Sequence, residues 1–344
     1  MDEAHADTDD SIRGRARAPS WKLRILLDAN RWVVAGGIAL FVFLGTVVAA
    51  VVTDGMALLT DGDPIETLFQ AYVTAIVTGV TLVLTLNQLV LSQELGAAGD
   101  QRERMDGATT FRDDVADAVG VAVAPADPAQ FLTALLEAAD ERAGDLSAAG
   151  PGGDGEVADH VQTLTEAVSS NAESASESLE GTTFGDFDVV SAALGFNYSW
   201  KLYAAKRLKA EHGDSLSDDA MDALDGLIEL LTLFGPAREH VKTLYFQWEL
   251  VDLSRAITYA AVPALLLTSV TLVFFDPTAA LFAGSTFGVD NGLLAFSVAA
   301  TVAVVPFAIL LSYVLRVATV AKRTLSIGPF ILRETDRSFD WEEA

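Results

Sequence analysis

Four runs in this chain, 32–52, 68–91, 257–275 and 293–315, hold no charged side chain, and each is about 19 to 24 residues long. A hydrocarbon core of about 30 Å is crossed by roughly 20 helical residues at 1.5 Å each. Peptide groups in that core have no water to bond to, so such runs must be helices. The chain is therefore expected to be all-α and polytopic, with four transmembrane helices. Short loops, 53–67 and 276–292, join the first two spans and the last two, so the spans form two hairpins.

Basic residues predict the orientation. The flanks 12–31, 93–112, 237–256 and 316–335 carry 6, 3, 3 and 4 Lys or Arg, whereas the two short loops carry none. Basic flanks stay on the cytoplasmic side. The expected layout is a cytoplasmic N-terminal segment 1–31, hairpin 32–92, a cytoplasmic helical domain 93–256, hairpin 257–315 and a cytoplasmic tail 316–344. The expected location is the cell membrane, and the polar residues before the first span do not read as a signal peptide.

Elsewhere the composition is strongly acidic. Asp and Glu number 48 against 22 Lys and Arg, for a net charge of −26, and mean hydropathy is still +0.34. Excess carboxylate with few lysines predicts a protein kept dispersed in concentrated salt. Without a basic stripe, nucleic acid is not an expected partner. Cysteine is absent, which excludes disulfides, thiolate nucleophiles and Cys-ligated metals.

Residues 93–256 read as helices. Asp127-Pro128 is a helix start, followed by the apolar stripe Phe131, Leu132, Leu135, Leu136, Ala139. The Ser-, Ala- and Gly-rich stretch 146–156 reads as a flexible link. Val157, Val161, Leu164, Val168, Asn171 and Ala175 then form a narrow heptad seam, either a coiled-coil seam in which Asn171 fixes register or a surface helix packed on its own domain. A helix is expected over about 183–212. Another opens at Ser215, breaks or kinks near Gly235-Pro236, and continues with Val241, Leu244, Trp248 and Val251 toward the third span. Phe196, Tyr198, Trp200 and Tyr203 read as core packing.

Catalytic motifs are missing. Residues 150–155 spell a dinucleotide fingerprint, but no strand precedes it and Pro151 sits in its turn. His5, His160, His212 and His240 are scattered in sequence. No enzyme, no cofactor and no metal site is expected. The spans also lack the buried charges that mark coupled transporters.

Four spans, inward termini, a short first hairpin and a long helical segment between spans two and three resemble the layout of bestrophin channels. That resemblance implies an oligomeric anion pore lined by the second span. It is one of layout alone, so no residue is carried over. The sequence also resembles uncharacterised haloarchaeal multi-span membrane proteins, which implies no activity.

The second span holds the main candidate site. Gln70, Thr74, Thr78, Thr81, Thr85, Gln88 and Ser92 step by three or four, placing all seven on one helix face. In hydrocarbon this face must meet either water or another helix. Water gives a homo-oligomeric ion channel with span two lining the path for inorganic ions. Glu94, Asp100, Arg102 and Arg104 would then sit at the inner mouth as a gate, or else form an ordinary solvated boundary. Asp54, Asp61, Asp63 and Glu66 would make an outer acidic rim. The alternative function is a membrane-anchored scaffold or sensor whose cytoplasmic domain binds a partner.

Overall fold

The computed structural model describes residues 29–150, 155–182 and 187–323. These form helices almost throughout, joined to one two-stranded ribbon. Among the described residues, four helices are long and apolar enough to cross a membrane. The chain divides into two compact units, an apolar one of Arg24–Leu95 with Gln247–Val320 and a polar one built on Gly96–Phe246.

In the apolar unit, α1 (Arg31–Val52) starts where the Asn30 side chain accepts from the Trp32 N–H at 2.8 Å. The short α2 (Gly55–Thr60) follows a tight turn in which Asp54 has φ 50. A Cβ at Gly55 would lie 2.7 Å from Ala50, so only glycine fits there. Helix α3 (Pro64–Glu94) has proline in its first turn, where the missing N–H costs nothing.

One face of α3 packs against the two remaining long helices, α9 (Asp218–Phe274) and α10 (Asn291–Arg323). Phe69 meets Ala299 and Ala300, Ile76 meets Ala261 and Ala264, and Val83 joins a cluster with Ala35, Leu253, Ile257 and Ile309. Small alanines opposite large side chains let the helices approach closely. Asn87 adds a hydrogen bond to the Ser254 hydroxyl. Between α9 and α10 lie a 3₁₀ turn (Ala280–Phe282) and strands β1 (Ser285–Thr286) and β2 (Val289–Asp290), paired antiparallel.

The polar unit holds α4 (Ala98–Val119), α5 (Pro128–Ala149), α6 (Gly155–Leu179), α7 (Phe187–Gly195), α8 (Tyr198–His212) and the first part of α9. Asp127 caps α5, accepting from the N–H groups of Ala129 and Gln130. Leu132, Leu135, Leu136 and Ala139 are buried. The whole expected seam on α6, Val157 through Ala175, is buried too, with α6 lying against α5, α7 and α8. It is therefore core within one chain rather than a free coiled-coil surface.

Local expectations are corrected at four places. Residues 146–149 are the last turn of α5, with Leu146 fully buried, and the chain leaves the helix only at Gly150, φ 70; residues 151–154, and with them most of the fingerprint-like stretch, lie outside the described residues. The helix expected over 183–212 is two helices parted at Phe196-Asn197, because the Asn197 N–H donates to the Asn171 side chain at 3.2 Å instead of to its own helix; 183–186 lie outside the described residues. Conversely, α9 runs unbroken through Gly235-Pro236. Phe234 and Ala237 are buried on either side, and a Cβ at Gly235 would press to 3.0 Å from the Tyr198 ring. Packing there outweighs the hydrogen bond that proline removes. Finally, of Val241, Leu244, Trp248 and Val251, only Val241 is buried, and its companion in the core is Tyr245.

Phe196, Tyr198 and Trp200 pack inside as expected, while Tyr203 is exposed. Two buried cations accompany them. The Lys201 ammonium lies 3.0 Å from Asn171 Oδ1 and 4.9 Å from the Phe196 ring, and the Arg238 guanidinium sits 4.7 Å over Tyr198.

Candidate functional site

Because α3 turns about 100° per residue, its seven stripe positions and its packed face lie on nearly opposite sides. Phe69, Ile76 and Val83 are all but fully buried, whereas Gln70, Thr74, Thr78, Thr81, Thr85, Gln88 and Ser92 are all exposed. The stripe thus faces away from the helices of its own chain. Exposed apolar side chains flank it on both edges, Val77 and Leu84 on one and Leu82 and Leu89 on the other.

The hydroxyls are partly satisfied from within. Thr74, Thr78, Thr81 and Thr85 donate to the carbonyls four residues back at 2.8 to 3.0 Å, and Ser92 donates to Leu89 at 2.7 Å. Each oxygen keeps acceptor capacity directed outward. The Gln70 and Gln88 amides have no hydrogen-bond partner among the described residues. A carboxamide can make four hydrogen bonds and cannot make them with lipid tails. The first half of the stripe, Gln70, Thr74 and Thr78, lines an open groove of about 650 Å³ whose other wall is Phe307 and Leu310 of α10.

The other expected site residues are placed as follows. Asp54, Asp61, Asp63 and Glu66 are all exposed near α2 and the start of α3. Asp63 precedes α3 and Glu66 lies in its first turn, where a carboxylate also complements the helix dipole. Glu94 closes α3, and its side chain lies outside the described residues. Asp100, Arg102 and Arg104 are exposed on α4, where Arg102 pairs loosely with Asp106 at 3.6 Å.

Two constellations were not expected from sequence. In the apolar unit, Glu249 of α9 pairs with Arg31 of α1 and lies 3.9 Å from Arg316 of α10. Arg316 also donates to the Ala29 carbonyl at 2.9 Å, and the Arg31 guanidinium stacks 5.4 Å from the Tyr313 ring. All three charged side chains are about nine-tenths buried, so one carboxylate joins α1, α9 and α10. In the polar unit, the His160 and His212 rings lie 5.5 Å apart across α6 and α8. Burial, and then the neighbouring His212, hold the His160 imidazole below its ordinary value. Among the described residues no group of three His or carboxylate side chains is placed to hold a metal ion.

A family of unknown function, DUF7972, matches residues 1–344, and the chain belongs to it. No curated protein and no solved structure matches the chain.

Proposed function

We propose that this DUF7972 member assembles as a homo-oligomeric membrane pore, with α3 lining a water-filled path for inorganic ions and both chain termini on the cytoplasmic side. The observation that carries this reading is the outward exposure of the stripe. Packing against the chain's own helices would have satisfied Gln70 and Gln88 without any partner, and that face of α3 is instead taken by Phe69, Ile76 and Val83. A lone subunit in a bilayer would set two amides against hydrocarbon, so the stripe belongs on an axis shared by several copies. The apolar edges beside it suit contact with lipid or neighbouring copies. The bias of basic residues toward the span flanks supports the orientation, and the acidic excess supports a salt-adapted host.

Cysteine substitution tests the reading without background, because the chain has none of its own. Thr74→Cys, Thr81→Cys and Gln88→Cys in proteoliposomes are expected to react with a water-soluble thiol reagent. Ile76→Cys, at a buried position, and Leu84→Cys, exposed outside the stripe, are expected to stay inert. If the three stripe positions are as inert as these controls, the stripe is a dry contact between copies, and the scaffold reading takes the place of the pore.

A further inference from the structure

The connection between α9 and α10 is an ordered structure that holds large apolar side chains outward. Phe287 and Gly288 form the two-residue turn of the β1–β2 ribbon, both at positive φ, 55 and 79. Turns of this kind favour Asn-Gly, because a side chain at positive φ crowds its own backbone. A phenylalanine there is strained, and burial does not offset the strain, because the ring is fully exposed. Leu281, on the preceding 3₁₀ turn, is 85% exposed.

The rest of the connection is firmly built. The Phe275 and Phe282 rings meet at 5.2 Å, tilted by 54°, and Asn291 binds the Gly284 and Ala283 carbonyls and the Thr286 hydroxyl. A Cβ at Gly292 would fall 2.3 Å from the Pro277 carbonyl oxygen, so the chain passes there at closest approach. The outward placement of Phe287 and Leu281 is thus fixed by neighbouring contacts.

Distance decides what these two side chains meet. The ribbon is two residues long at about 3.4 Å each and joins α10 directly, so its tip lies within about 10 Å of the start of that helix. The headgroup zone flanking a hydrocarbon core is about 5 to 7.5 Å deep on each side. The tip therefore has the bilayer interface within reach. Residues 275–290 contain no Lys or Arg, and their charged side chains are Asp276 and Asp290, so nothing in the segment recruits anionic headgroups.

We propose that this connection is a bilayer anchor, with Phe287 and Leu281 inserted at the boundary between headgroups and acyl chains by apolar contact alone. Rings and branched chains at that depth fix the height and tilt of the spans they join. The proposal does not depend on whether α3 lines a pore.

The test uses the full chain in nanodiscs of zwitterionic lipid, with a single environment-sensitive fluorophore at Phe287→Cys, Leu281→Cys or Thr278→Cys. Thr278 is an exposed polar control in the same connection. Labels at 287 and 281 are expected to lose emission when lipids spin-labelled high on the acyl chain are included, and to keep it in iodide. The label at 278 is expected to do the reverse, and adding anionic lipid should leave the pattern unchanged. A label at 287 that is quenched by iodide as readily as the one at 278 would overturn the proposal in favour of a water-facing tip. Shielding of 287 from both quenchers would overturn it in favour of a protein partner.

Discussion

Replacing Glu249 with glutamine is expected to destabilise the apolar unit by about 3 kcal/mol, read as a lower melting temperature in detergent, with the polar unit unaffected. The carboxylate serves Arg31 and Arg316 together, at a place where all three side chains are about nine-tenths buried. Glutamine keeps the shape and an acceptor but removes the charge that both guanidinium groups share. Since Arg31, Glu249 and Arg316 come from α1, α9 and α10, the loss falls on the packing of spans rather than on any one helix. Glu249→Asp retains the charge on a shorter reach and is expected to fall between wild type and Glu249→Gln. An unchanged melting temperature in Glu249→Gln would show that the cluster is solvated and contributes nothing.

The second large effect is expected at Asn171. Its side-chain oxygen accepts from the Asn197 N–H at 3.2 Å and from the Lys201 ammonium at 3.0 Å, all within the core of the polar unit. Asn171→Leu fits the volume and completes the apolar seam of α6, yet it withdraws one acceptor from a fully buried cation and from the peptide that separates α7 from α8. Leaving a buried donor without that partner costs about 1 to 3 kcal/mol, and more when the donor is charged. A loss of about 3 kcal/mol in chemical denaturation of the full chain is expected. Asn171→Asp, which keeps an acceptor oxygen at the same place, is expected to lose far less than Asn171→Leu. An equal loss in the two variants would place the stabilising role of Asn171 elsewhere.

These two sites mark the boundary of what the sequence made legible. The four helices long and apolar enough to cross a membrane followed from runs without charge, and the cap at Asp127 followed from local chemistry between adjacent residues. The stripe on α3 was legible as a face, because helical periodicity alone fixes which residues share a side. That it points away from its own chain was not legible, because the opposing pattern Phe69, Ile76, Val83 becomes the packed side only once α9 and α10 present alanines to it. The Arg31–Glu249–Arg316 group lay in plain view at three span ends, but residues 218 apart in sequence give no local signal that they will pair. His160 and His212 met for the same reason, two scattered histidines brought together by the packing of α6 on α8. The misplaced helix ends share one cause as well. At Gly235-Pro236 and at Phe196-Asn197, tertiary partners overrode the propensity of the local sequence, in one case preserving a helix and in the other interrupting one.

The central claim, that α3 lines a conducting path shared by several copies, is tested most directly by electrical recording on the purified protein in a planar bilayer at high salt. Discrete unitary currents are predicted for the wild type. They are expected to vanish in Thr78→Trp, which sets an indole at the middle of the stripe, where the side chain stands exposed and donates to the Thr74 carbonyl of its own helix. A wild-type protein that stays silent across voltage and membrane tension, or currents that persist unchanged in Thr78→Trp, would contradict it.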